Sequence, residues 1–160
     1  MRILPSQTAP PRAPVPRRHA PPPATGRFGY RKYRPCLRWD FGFTCALCLL
    51  HEADFAGEGG VEGTAVFTTE HAVPFDEDPL RCNDYGNCLY ACRLCNGARG
   101  STPTVSKGLP LLDPTVVAWG DWFEVQEDCL APKGDDPGAR HTWSTYDLDD
   151  PRKVKRREVR

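Results

Sequence analysis

The chain has 160 residues, which is enough for one domain with tails, and its 17 prolines and 14 glycines leave little room for long regular elements. No stretch is long and apolar enough to cross a bilayer. Proline and arginine interrupt every apolar run before residue 40, which argues against a secretory signal. The sequence therefore predicts a soluble, cytoplasmic protein with no membrane partner, whose eight cysteines are reduced thiols.

The formal net charge of zero conceals a separation of charge along the chain. Residues 1–39 hold nine Lys and Arg and no acid, and residues 152–160 hold six basic side chains and one acid. The 112 residues between them hold six basic and twenty acidic side chains. Phosphate contacts usually supply much of the affinity for nucleic acid, so either the basic tails hold a nucleic-acid partner or polyanions are not the substrate.

In chain order, the first predicted element is an arm rich in proline and arginine, residues 1–26. It cannot bury enough apolar surface to fold, so we expect it to be disordered, as a linker or as an arm that tracks along DNA. From residue 27 the composition becomes aromatic and basic, which marks the start of the folded unit. An amphipathic lead-in fits this segment as well as a nucleic-acid contact does. The candidate phosphate contacts are Arg31, Lys32, Arg34 and Arg38.

Two Cys-x-x-Cys pairs follow, Cys45/Cys48 and Cys92/Cys95. Thiolates at this spacing can reach around one tetrahedral zinc ion, and two pairs complete a closed site that stabilises a fold without doing chemistry. Zinc would therefore hold the segment that carries His71 against the segment that carries Asn96. The remaining cysteines have no evident pairing and are expected to be inert thiols: Cys36, Cys82, Cys88 and Cys129.

Between the two pairs, residues 64–69 alternate in polarity and are rich in β-branched side chains, so they predict a strand. The strand would deliver Glu70 and His71 at its end, where Pro74 stops it. Residues 75–86 are acidic and are expected to be irregular, with a short second strand.

The next segment predicts a helix over residues 87–99, because Leu89, Cys92 and Cys95 have helical spacing. Further elements are predicted beyond residue 110. They are a strand over residues 122–125 and short helices over residues 141–148 and 151–160.

Taken in order, these elements resemble the HNH (His-Me finger, ββα-metal) endonuclease family over about residues 30–100. The resemblance is carried by an aromatic and basic lead-in at 30–43, Cys45/Cys48, Glu70-His71-x-x-Pro74, Asn87, Cys92/Cys95-Asn96 and Arg99. It implies an α+β fold built on a small zinc-stabilised ββα-metal finger with short flanking helices and strands. The nuclease core would occupy residues 27–100, and residues 101–160 would form a C-terminal extension that packs on it.

The resemblance also implies a function: a metal-dependent DNA endonuclease that hydrolyses phosphodiester bonds. His71 would be the general base, because an imidazole titrates near neutral pH. Glu70 and the side-chain carbonyl of Asn96 would offer hard oxygen ligands to one Mg²⁺ or Mn²⁺ ion. Asn87 would tie the loop backbone and orient His71, and Arg99 would clamp phosphate.

Other interpretations of these residues remain open. Glu70 is also explained as a solvated acid at a strand end, Asn96 as a helix cap and Arg99 as a solvated charge at a helix end. Residues 76–78 are acidic where relatives have a glycine-rich turn, so they would repel DNA or recruit an extra cation. The alternative function is a zinc-stabilised module that binds nucleic acid or protein without efficient catalysis. Neither function needs a small-molecule cofactor.

Overall fold

The computed structural model describes residues 9–55 and 66–158, in which all helices and strands are short. The helices are α1 (Arg34–Asp40), α2 (Arg93–Arg99), α3 (Trp119–Trp122), α4 (Pro137–Thr145) and α5 (Pro151–Glu158). The strands of the described residues form three antiparallel pairs: β1 (Phe67–His71) with β2 (Cys88–Cys92), β3 (Val105–Ser106) with β4 (Leu109–Pro110), and β5 (Phe123–Gln126) with β6 (Cys129–Pro132). This arrangement confirms the expected α+β class.

The β1–β2 hairpin runs directly into α2. Its register pairs Phe67 with Cys92, all five residues of β2 are buried, and the rings of Phe67 and Tyr90 stack with centroids 4.8 Å apart. The prediction of one helix over residues 87–99 is wrong for the first half of that segment. A short, continuously apolar run that is covered on both faces suits a buried strand, so the helix begins only at Arg93.

The strand that ends at His71 is seen, with Glu70 and His71 inside it rather than after it. The part of the prediction that falls on residues 64–65 lies outside the described residues. The second strand expected within residues 75–86 is not formed. That segment instead makes two 3₁₀ turns, each beginning at an aspartate whose carboxylate accepts a backbone N–H two residues on.

The later elements fall close to their predicted positions. Helix α2 ends at Arg99 and is followed by Gly100, whose φ of 55° suits glycine. The strand predicted at 122–125 is β5, one residue further along. Helix α4 begins four residues before its predicted start, because the Asp136 carboxylate caps it by accepting from Ala139 N at 2.8 Å.

Residues 9–26, here named the N-terminal strap, have no regular secondary structure but follow a defined path across the core, in contrast to the expected disorder. Gly120 N donates to Pro11 O at 2.6 Å, and Val15 N donates to Pro114 O at 2.8 Å. A Cβ on residue 120 would lie 2.9 Å from Pro11 O, so only glycine permits this approach.

Further along the strap, the Arg17 guanidinium lies 5.2 Å from the ring centroid of Phe41 and 5.4 Å from that of Tyr85. His19 Nδ1 lies 2.5 Å from Asp40 Oδ1. Proline restricts the unfolded chain, so ordering such a segment costs less entropy than its composition suggests. Residues 1–8 lie outside the described part of the arm.

Two tryptophans, the buried Trp119 and the half-buried Trp143, join the C-terminal part of the chain to the rest of the core. Trp119 donates from Nε1 to Leu47 O at 3.0 Å and packs on Phe123 with ring centroids 4.6 Å apart. Trp143 donates to Leu130 O at 2.7 Å. None of the helices in the described ranges has the length and apolar surface that spanning a bilayer requires.

Candidate functional site

The two Cys-x-x-Cys pairs meet in the core. The first lies in a tight loop closed by a bridge between Thr44 and His51, and this loop is attached to β2 because Ala46 N donates to Tyr90 O at 2.8 Å. The second pair spans the end of β2 and the first turn of α2. A local hairpin loop and a strand–helix junction therefore present their thiols to the same point.

Four buried sulfurs lie at that point, all within 4.8 Å of one another. Cys48 Sγ lies 3.7 Å from Cys92 Sγ, close to the separation of about 3.8 Å that tetrahedral zinc–thiolate bonds produce. Cys92 N donates to Cys45 Sγ at 3.4 Å. Cys95 completes the group. These four cysteines are positioned to bind one metal ion, which is consistent with a structural zinc.

Two cations from α5 lie against this centre. Lys153 is completely buried, and its ammonium group donates to Tyr146 O and Asp147 O, both at 2.6 Å. Burial alone would lower the pKa of Lys153, but the nearby cysteines raise it overall. Arg157 donates to Cys48 O. A divalent ion with four thiolates carries net negative charge, and the two cations complement it, so the surroundings fit such a centre.

A separate open cavity of about 660 Å³ lies between the start of α1, strand β1 and the end of α2. Its walls include Glu70, His71 and Asn96. The structure thus brings the expected general base and both expected ligands of the catalytic metal to one cavity, although they come from two elements 25 residues apart in the sequence.

The His71 ring has a defined tautomer and orientation. Its Nε2 lies 3.0 Å from Cys82 O, and because a carbonyl oxygen only accepts, Nε2 carries the proton and Nδ1 keeps its lone pair. The Tyr30 ring packs edge-on against His71 with centroids 4.6 Å apart. Burial lowers the pKa of His71, so the neutral, basic ring persists below its usual pH range.

Glu70 is almost completely enclosed. Its Oε1 accepts from the backbone N of His71 at 2.7 Å, while Oε2 is buried without a hydrogen-bond partner among the described residues. The Arg99 guanidinium lies 3.6 Å away. Burial raises the pKa of Glu70 to about 7, and the charge of Arg99 limits that rise. This environment differs from a solvated acid at a strand end.

Asn87 is fully buried, and its side chain ties the loop backbone as expected. Its Oδ1 accepts from Val73 N at 2.8 Å, and its Nδ2 donates to Val73 O at 2.9 Å and to Arg81 O at 3.1 Å. The His71 ring, however, donates from Nε2 to the Cys82 carbonyl and makes no hydrogen bond to Asn87. Asn87 therefore shapes the loop that follows His71 rather than bonding to the ring itself.

Arg99 lies where it cannot clamp phosphate in this conformation. Only 2% of its surface is exposed, and its guanidinium donates to His71 O, to Ala72 O at 2.8 Å and to Thr102 O at 3.1 Å. It braces the backbone at the end of β1. Helix α2 is short and packs on β1, so the side chain turns inward rather than into solvent.

The four candidate phosphate contacts have different surroundings. Arg31 and Arg34 line the open cavity, and Lys32 is exposed but is not part of its lining. Arg38 forms a two-point ion pair with Glu52, with nitrogen–oxygen distances of 2.6 and 2.7 Å. Arg38 therefore stabilises the fold through Glu52 and does not offer its guanidinium to phosphate in this conformation.

Sequence reasoning missed the inward role of the basic C-terminal helix. The sequence leaves open whether the basic tail at 152–160 holds a nucleic-acid partner, yet Lys153 and Arg157 within it are buried. The signal that could have found them is their i, i+4 spacing, which puts both on one helix face. The aromatic wall of the cavity, with Tyr30 and Phe75, was also missed.

Comparisons with protein-family models, with curated proteins and with solved structures find no match, so the function of this site has to be argued from its own residues and geometry.

Proposed function

We propose that this protein is a metal-dependent endonuclease that hydrolyses phosphodiester bonds in DNA. The observation that carries the proposal is the convergence of Glu70, His71 and Asn96 on one open cavity beside Arg31 and Arg34. A base, oxygen ligands and phosphate-binding cations are the groups that this reaction needs. Two antiparallel strands followed by a helix, with the histidine at the end of the first strand, also have the order expected of a ββα-metal finger.

The surroundings of Glu70 fit Mg²⁺ or Mn²⁺. A buried carboxylate oxygen without a partner is costly, and a hard cation would satisfy it. Asn96 on α2, which lines the same cavity, would add an amide oxygen. When bound, the ion would neutralise charge on the phosphate oxygens and assist departure of the 3′ oxygen.

The chain's own residues would perform the remaining steps. His71 Nδ1 would accept a proton from the attacking water, because Nε2 is held by the Cys82 carbonyl and the ring cannot turn without losing that bond. Arg31 and Arg34 would hold the phosphates on either side of the cut. Arg99 would keep the end of β1 in place and would touch no substrate.

The test is cleavage of supercoiled and linear DNA by the purified full chain, with and without Mg²⁺ or Mn²⁺. We expect His71→Ala to lower metal-dependent cleavage by a factor on the order of a hundred or more while zinc content and thermal stability stay near wild type. His19→Ala is the matched control, because that histidine lies outside the cavity and should leave cleavage unchanged.

Equal cleavage by wild type and His71→Ala would assign the activity to a contaminant or another site. The chain would then be a zinc-stabilised binding module without efficient catalysis.

A further inference from the structure

A smaller aromatic cleft adjoins the proposed active site. It has a volume of about 160 Å³ and is lined by Arg27, Phe28, Tyr30, His71, Phe75 and Cys82. Three of these residues, Tyr30, His71 and Phe75, also line the larger cavity, so the two spaces share a wall at the proposed general base.

Two of the rings that border this cleft are exposed. Phe28 is 51% exposed and Phe75 is 45% exposed. Tyr30, by contrast, is held edge-on against His71 at 4.6 Å and forms a fixed wall. Exposed aromatic faces beside a functional cavity commonly mark a binding surface.

Positive charge accompanies these rings. The guanidinium carbons of Arg27 and Arg31 lie 5.4 Å and 4.6 Å from the centroid of the Phe28 ring. Arg31 also lines the larger cavity, where the phosphate to be cut would lie. Aromatic faces next to arginines are the combination that binds unpaired nucleotides, because the rings stack on bases while the cations contact the backbone.

We propose that this cleft takes one unpaired nucleobase next to the scissile phosphate. The preferred substrate would then be DNA with single-stranded nucleotides at the cut, such as a flap, a bulge or a free strand. A base inside a duplex has both faces covered by its neighbours, so it cannot stack on Phe28 or Phe75. The cleft's volume also suits one base rather than a base pair. This inference rests on the proposed nuclease function and adds the substrate class.

The experiment compares matched substrates of one sequence: a single strand, a duplex with an unpaired flap and a fully paired duplex. We expect wild type to cut the unpaired substrates at least about tenfold more efficiently than the paired duplex, and Phe28→Ala or Phe75→Ala to remove most of that preference. Phe28→Trp should retain it, because tryptophan keeps a stacking face. Trp39→Ala is the control, since Trp39 is 62% exposed and lines neither cavity.

A second readout separates this inference from the proposed function. The fluorescent base analogue 2-aminopurine, placed in a single strand, should be quenched when the protein binds in Ca²⁺, and Phe28→Ala should abolish the quenching. Quenching of this kind without any cleavage would support the cleft and contradict the nuclease. If wild type cuts paired and unpaired DNA equally well, and Phe28→Ala does not change this, the proposal of base binding in the cleft is wrong. The proposed nuclease activity would be unaffected by that result. Absence of both quenching and cleavage would overturn both.

Discussion

Glu70 and His71 are neighbours in sequence whose acid–base behaviour is shifted in opposite directions by the same burial. Burial raises the pKa of Glu70 to about 7 and lowers the pKa of His71 below its usual 6.5. The His71 ring therefore stays neutral to a lower pH than an ordinary imidazole, while the Glu70 carboxyl group holds its proton up to about pH 7. In the metal-free protein, the proton on Glu70 is therefore retained to a higher pH than the proton on His71.

This difference predicts how metal activation depends on pH. A cation must displace the Glu70 proton below about pH 7, so the Mg²⁺ concentration that gives half-maximal cleavage should fall several-fold as the pH rises from 6 to 8. Glu70→Gln should need more Mg²⁺ at every pH and should lose most of this dependence. Mg²⁺ titrations at three pH values measure it, and a wild-type requirement that is constant with pH would contradict the prediction.

The pH dependence of the free energy of unfolding of the metal-free protein would report the same two pKa shifts less clearly. The raised pKa of Glu70 contributes stability below its unfolded value of 4.5, and that contribution is lost as the pH rises through about 7. The lowered pKa of His71 contributes stability above 6.5, which is lost as the pH falls through the folded value. The two contributions overlap and oppose each other between these limits.

At the scale of elements, the features that depend on the spacing of nearby residues are predictable from the sequence. The cysteine pairs, the strand that carries His71 and helix α5 all follow from short-range patterns, and the structure contains them. Contacts between distant segments were not predictable in this way. Strand β2 has helical spacing, but its pairing with β1 decides its conformation. Arg99 turns inward because of carbonyl groups at the end of β1.

The N-terminal strap is the element whose attachment is easiest to test. Gly120→Ala would place a Cβ 2.8 Å from Pro10 O and should displace the strap at that point. We expect trypsin to cut Gly120→Ala at Arg12 or Arg17 several-fold faster than wild type. Gly97→Ala is the matched control, because its added Cβ would meet nothing within 4 Å. Equal digestion of all three proteins would show that this contact does not hold the strap.

At the scale of the whole molecule, the cysteine centre joins parts of the chain that are far apart in sequence. Structural zinc contributes directly to folding, so removing it with a chelator should unfold the protein, and Cys92→Ser should fail to fold. Loss of the metal would then abolish cleavage as a consequence of unfolding.

The buried cation beside this centre gives a milder test. Lys153→Met keeps the length of the side chain but removes the charge that complements the thiolates, so a competing chelator should extract zinc at least several-fold faster than from wild type. Lys155→Met is the control, because Lys155 is exposed on the same helix. Equal extraction rates for the two variants would show that Lys153 does not help to retain the metal.

The bond from Arg157 to Cys48 O spans 109 residues, which bears on how the protein is made. At about 5 to 20 residues per second, ribosomes deliver Arg157 roughly 5 to 20 seconds after Cys48. During that interval the nascent chain can hold zinc only without the cations of α5. The metal centre of each new molecule should therefore reach its final affinity only after α5 has emerged from the ribosome.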